Sequence, residues 1–171
     1  ESKQTLGRLR DLGVDRFVLI SGDREASVSA VANEVGADAF YASCTPEQKM
    51  QILREEQALT KGTVVAVGDG INDAPALASA TVGIAMGAYG SAISAEAADI
   101  VLLVDDIEKV SQTISISQST LRIAKQSIWI GMGLSLILMG IAACGYIEPA
   151  IGALLQEIID FAVIINALRI R

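Results

Sequence analysis

Histidine is missing from all 171 residues, and cysteine and proline are scarce at two and three. Without imidazole the chain has neither a histidine general base nor a histidine metal ligand. Cys44 and Cys144 stand far apart with no C-x-x-C spacing, which excludes a thiolate zinc site or a redox pair built from this chain alone. Aromatic residues reach only 4%, and 13 Lys and Arg face 20 Asp and Glu, for a net charge of −7. No basic stripe with interleaved aromatics is present to track phosphates, so nucleic acid is excluded as a partner. The polar start shows no signal-peptide pattern and opens in mid-pattern, and the expectation is a piece of something longer.

What is abundant is apolar: 51% of residues are hydrophobic while 19% are charged, so the excess must be localised. Nearly all charge lies in residues 1–126, whereas 128–168 contain only Glu148, Glu157 and Asp160. The expected organisation is an α/β domain over 1–126 and a transmembrane helical hairpin over 127–171.

In the first part, one stretch organises the rest. Val64 to Val67 is a β-branched apolar run that breaks into Gly68-Asp69-Gly70-Ile71-Asn72-Asp73 and restarts at Pro75, where a helix can begin. Gly68 and Gly70 allow backbone conformations closed to other residues and let a ligand approach the main chain, and Asp69 and Asp73 supply hard oxygens of the kind Mg²⁺ takes. The stretch lacks the lysine and Ser/Thr of a Walker A loop, and Asp73 stands where a dinucleotide fingerprint needs its third glycine. A Mg²⁺-phosphate turn and an ordinary strand-to-helix turn with solvated aspartates both fit at this point.

Taken in order, Leu6, Leu9 and Leu12 predict a short helix stopped at Gly13, and Phe17 to Ile20 a strand ending in Ser21-Gly22-Asp23. A helix over Glu25 to Val35 capped at Gly36 follows, then a minimal strand at Phe40-Tyr41. Thr45-Pro46-Glu47-Gln48 has the form of a capping box, which puts Lys49 in the first turn of the next helix. There a cation opposes the helix dipole at a cost of about 0.3–1 kcal/mol, so Lys49 is either a solvated lysine or one that awaits an anion. Ala76 to Ala80, Val82 to Met86, Ser91 to Ala97 and Ile100 to Val104 continue the alternation, with Asp105-Asp106 placed to cap a helix carrying Ile107, Val110 and Ile114. Short strands alternating with helices indicate a parallel sheet with its polar groups at the carboxyl ends of the strands.

Ile128 to Ile147 and Pro149 to Leu168 are each of membrane-spanning length, about 20 residues, separated by a short turn. Arg122, Lys125, Arg169 and Arg171 flank the pair and the turn has no basic residue, which places both ends and the α/β domain in the cytoplasm. Trp129 and Tyr146 are positioned as interfacial anchors. The second span is polar in one place: Gln156, Glu157 and Asp160 share a face one helical turn long. Each acidic group there costs about 2.5–3.5 kcal/mol to insert, so the cluster is a cation or proton site or a structural polar network.

These residues together resemble the P-type ATPases that move heavy-metal cations. Gly68-Asp69-Gly70-Ile71-Asn72-Asp73-Ala74-Pro75-Ala76-Leu77 is similar to the hinge motif at the end of that family's phosphorylation domain. Ser21-Gly22-Asp23 resembles its threonine-glycine-aspartate motif, Pro46 to Lys49 its proline-x-x-lysine segment, and Asn166-Ala167-Leu168-Arg169 the end of its last helix. The resemblance implies a haloacid-dehalogenase-like Rossmannoid domain, the last part of a multi-pass pump in the plasma membrane of a bacterium. It implies that Ser21, with Gly22 and Asp23, binds the phosphoryl group and that Lys49 neutralises it. Asp69 and Asp73 would bind Mg²⁺, with Asn72 completing the site. ATP would be bound mainly by parts outside this chain.

The family's phosphorylated aspartate, its nucleotide-binding domain and its cysteine-proline-cysteine helix are absent from this sequence. In the related fold the missing strand is the central one, so the chain alone is expected to lack the nucleophile, the middle of its sheet and ATPase activity, and the missing N-terminal part of the pump is its expected partner. Gln156, Glu157 and Asp160 are the expected transported-ion site, and their oxygen donors favour a divalent transition metal over Cu⁺. Ser135 lies where zinc pumps tend to have a lysine. A soluble haloacid-dehalogenase-type phosphatase, or a non-catalytic half-pump, is the alternative.

Overall fold

Five short strands and six helices carry out most of this alternation in the computed structural model, which describes residues 2–60, 62–68, 71–87 and 96–169. The chain divides into two units, Glu1–Gln112 and Thr113–Arg171.

In the first unit α1 (Ser2–Asp11) buries Leu9 and, unannounced by the leucine spacing, Thr5. It leads through Gly13, at φ 89°, to β1 (Val18–Ile20). Next come α2 (Glu25–Val35), closed by Gly36 in the left-handed conformation, and β2 (Ala39–Tyr41), then α3 (Pro46–Thr60). Strand β3 (Val65–Gly68) passes through a 3₁₀ turn at Ile71–Asp73 into α4 (Ala74–Ser79), and β4 (Val82–Met86) and β5 (Ile100–Leu102) complete the strands.

All strand pairs are parallel, but they form two sheets: β1 with β2, and β3, β4 and β5 in that order. Among the described residues no strand bridges β1 to β3, which is the division expected of a Rossmannoid sheet lacking its middle strand. The best-buried side chains, Leu77 and Ile84, are where α4 meets β4. Gly83 permits that approach, since a Cβ there would stand 2.6 Å from the carbonyl oxygen of Leu77.

Asp105-Asp106 precedes a helix, as its sequence predicts: Asp106 accepts the Glu108 backbone N–H at 2.8 Å. From there α5 runs unbroken over Glu108–Ala143. Sequence reading expects a capped helix and a separate span; the structure joins them in one helix about 54 Å long. Gly145, at φ 80°, turns the chain, and Pro149 starts α6 (Pro149–Ala167). Both helices are long and apolar enough to cross a membrane, and their most apolar windows are 6% and 0% buried, unlike the core helices of a soluble domain.

Candidate phosphoryl and cation sites

The first site forms where β1 and β3 end and α3 begins. Ser21 follows β1, and its backbone N–H donates to Tyr41 O at 2.9 Å, extending the β1–β2 ladder by one step. Its Oγ accepts the Asp23 backbone N–H and donates to Asp23 Oδ2, both at 3.2 Å, so Ser21, Gly22 and Asp23 form one small hydrogen-bonded turn. The loop after β2 is tied to that turn: Ser43 N–H donates to Asp23 O at 2.8 Å and Cys44 N–H to Ser21 O at 3.0 Å. Ser43 holds φ 52°, a left-handed conformation that a side chain adopts at a cost. Sequence reading missed this anchoring loop, because its contacts are made by backbone atoms.

The same loop runs directly into α3. Thr45 N–H donates to Gln48 Oε1 at 2.8 Å and Gln48 N–H to Thr45 Oγ1 at 3.3 Å, which is the capping box the sequence predicts. The backbone N–H of Glu47 and the Thr45 hydroxyl hold the Glu47 carboxyl below the ordinary carboxylate range. One turn in, Lys49 has its anion: Nζ donates to Asp73 Oδ1 at 2.6 Å, with the side chains 15% and 22% exposed. The cation at a helix N-terminus is thus offset by a carboxylate from the turn after β3.

Gly68 is required there for space and not for a left-handed φ, a correction to the conformational argument made from sequence. A Cβ at Gly68 would stand 2.8 Å from Asp73 Cβ and 3.1 Å from Asp73 Oδ2. Asn72 is exposed beside Asp73. Asp69 and Gly70 lie outside the described residues, as do Arg171 and most of the expected Ser91 to Ala97 segment. Among the described residues no group of three or more acidic or sulfur ligands is gathered for a metal. The hard carboxylate of Asp73, held at a strand tip with Oδ2 not taken by Lys49, suits Mg²⁺ as one ligand of a larger set.

Arg16, just before β1, anchors α3 about two turns further along: Nε and Nη2 donate to Glu56 Oε2 and Oε1 at 2.9 and 3.0 Å. Hydrogen bonding to Glu56 raises the pKa of Arg16 above its ordinary value.

The second site is within the hairpin. The side-chain nitrogen of Gln156 donates to Asp160 Oδ1 and, across to α5, to Ser135 Oγ, both at 3.0 Å. Asn166 donates to Ser127 Oγ at 2.7 Å. The acidic pair Glu157 and Asp160 is exposed, and Gln156 is half-buried. Sequence reading grouped Gln156 with Asp160 but assigned Ser135 and Ser127 no contact, since a serine on an apolar helix carries no spacing signal.

A family model of haloacid dehalogenase-like hydrolases matches residues 1–81. The chain is 35% identical over 99% of its length to a protein of Listeria monocytogenes described as a probable cadmium-transporting ATPase, of which it spans 24%. It is 38% identical over 99% of its length to a copper-exporting P-type ATPase of Staphylococcus haemolyticus, spanning 21% of it. A crystal structure of a zinc-transporting PIB-type ATPase in its E2.Pi state matches 98% of the chain, and 27% of its own length, at 32% identity and a TM-score of 0.90. The chain therefore belongs to the heavy-metal-transporting P-type ATPases and spans about a quarter of the length of the relatives it matches.

Proposed function

We propose that this chain is the C-terminal part of an ATP-driven pump that couples Mg²⁺-dependent formation and hydrolysis of a phosphoaspartate to the movement of a divalent transition metal across the membrane. The observation that carries the reading is the Lys49–Asp73 pair at the tip of β3, in one chain with two exposed apolar helices bearing an acidic cluster. A soluble phosphatase would share the first feature and has no use for the second.

In this reading Ser21 Oγ, held by the Asp23 turn, hydrogen-bonds the phosphoryl group, and Gly22 leaves its backbone open to it. Lys49, held beside Asp73 in the first turn of α3, would neutralise phosphoryl charge. Asp69 and Asp73 hold Mg²⁺, with Asn72 beside them, and the ion supplies charge neutralisation to a transfer that depends on positioning and electrostatics. The nucleophilic aspartate and most of the ATP site come from the N-terminal part of the pump, so this chain alone forms no phosphoenzyme. Gln156, Glu157 and Asp160 make the ion site. The α/β domain faces the cytoplasm and the membrane is a bacterial plasma membrane, as the basic flanks of the hairpin support.

The test is metal-stimulated ATP hydrolysis by the full-length protein across zinc, cadmium, cobalt, manganese and iron, beside the variants Glu157→Ala and Asp160→Ala. Loss of stimulation in both variants is expected. Stimulation unchanged in both sinks the ion-site assignment, and phosphoenzyme formed by the isolated chain from labelled ATP sinks the division of labour.

A further inference from the structure

We infer that Ser135 is a positioning residue of the ion site: it fixes the Gln156 side-chain amide so that its nitrogen faces Asp160 and its oxygen is left for the cation. This rests on the ion-site reading above and deepens it. The assignment follows from what each group is able to donate. A primary amide has two N–H donors, and an ionised carboxylate only accepts, so the nitrogen of Gln156 must be the atom that meets Asp160 Oδ1. Its other N–H is taken by Ser135 Oγ on the facing helix, again at 3.0 Å.

With both donors engaged, Oε1 is the remaining polar atom of the amide. Rotation of the amide by half a turn would set that oxygen against the Asp160 carboxylate, acceptor against acceptor. Ser135 resists the rotation by holding the second N–H. The amide and hydroxyl line a cavity of about 290 Å³ between the hairpin helices, whose other walls are Leu138, Met139, Ala142 and Gly152. The side chains of those other lining residues offer a freed N–H no strong acceptor. The consequence is a hard, neutral oxygen on an amide that is itself bonded to the Asp160 carboxylate, donors of the kind a divalent cation takes.

Ion-stimulated ATP hydrolysis by the full-length protein, titrated with zinc and with cadmium, tests this in Ser135→Ala, Ser135→Thr and Asp160→Ala. Ser135→Ala should raise the half-activating ion concentration about tenfold with kcat within about twofold of wild type, the size of effect expected when a partner of a metal ligand is removed. Ser135→Thr keeps the Oγ acceptor and should restore the wild-type value, which a role in packing alone would not produce. A wild-type ion titration in Ser135→Ala, with stimulation abolished in Asp160→Ala, overturns the positioning role and leaves the ion site standing. Equal losses in the alanine and threonine variants also overturn it. Full stimulation in Asp160→Ala overturns both readings together.

Discussion

The two units of this chain satisfy their carboxylates in different ways. In the first, three acidic side chains are matched with cations: Asp73 with Lys49, Glu56 with Arg16, and Asp38 with Arg10. In the hairpin, Asp160 is met by an amide, and the polar side chains that cross between the helices, Gln156 to Ser135 and Asn166 to Ser127, are neutral. The difference has a physical basis. Beside water a charged partner is inexpensive to keep and holds loops in place, as it does where Lys49 joins α3 to the turn after β3. Within an apolar span a lysine or arginine is costly to insert. A neutral donor orients the carboxylate and leaves its charge in place.

The largest effect that would sharpen this contrast is at Lys49. Lys49→Ala removes the cation from the proposed phosphoryl site and takes from Asp73 its ion-pair partner, so ATP hydrolysis by the full-length protein should fall about 10²–10³-fold, the loss typical of removing one preorganised donor. Activity within threefold of wild type would mean that the pair serves α3 and not the chemistry. Gly68→Ala follows. Its Cβ would fall 2.8 Å from Asp73 Cβ, neither atom is on a movable side-chain end, and the turn must shift. A displacement of that kind costs up to about 10²-fold in turnover, read in the same assay with protein yield as the control for folding.

How much of this was legible in the sequence depends on what kind of atom makes the contact. Periodicity and punctuation placed Val82 to Met86, the Thr45 capping box, the Gly36 cap and the start of α6 at Pro149, because each is written in side-chain type at fixed spacing. The misfit of Lys49 at a helix start left a solvated lysine and one awaiting an anion both open, and spacing had no means of naming Asp73, which lies 24 residues further on. Backbone contacts left no trace: the loop at Ser43 and Cys44 that anchors Ser21 has an unremarkable sequence. The role of Gly68 was misattributed for a related reason, since a crowded Cβ and a positive φ both select glycine and only coordinates separate them. Continuity of α5 was hidden by the change in character near Ile128, where hydrophobicity shifts but the helix does not.

A smaller effect is expected from the hairpin's second crossing bond. Asn166→Leu removes the 2.7 Å bond to Ser127, whose side chain is otherwise buried, and should lower hairpin stability by about 0.6–1.7 kcal/mol, the span measured for hydrogen bonds between membrane helices. Denaturation of the chain in mixed detergent micelles, followed by helix content, reads this. A loss well above that range would place the hairpin's stability in charge-like interactions and break the contrast with the first unit.

The smallest effect belongs to a water-facing pair of the first unit, and it carries a sign. The Phe17 backbone N–H at 2.7 Å and then Arg10, whose Nη2 lies 2.9 and 3.0 Å from the two oxygens, hold the Asp38 carboxyl below the ordinary carboxylate range. A carboxyl with a depressed folded pKa contributes stability that is present above its unfolded value, about 3.9, and is lost as pH falls through the folded value. Asp38 is a third exposed, which limits the contribution to about 0.2–1 kcal/mol at neutral pH. Asp38→Asn should therefore melt slightly earlier at pH 7 and flatten the loss of stability below about pH 4. The same acid limb in wild type and variant would assign that limb to other carboxylates, with Glu47 the next to test. Adding salt should narrow the gap between wild type and variant at pH 7, because an exposed pair is screened. An amide contact such as Gln156 to Asp160 carries one charge and not two, and Gln156→Leu should respond to salt far less.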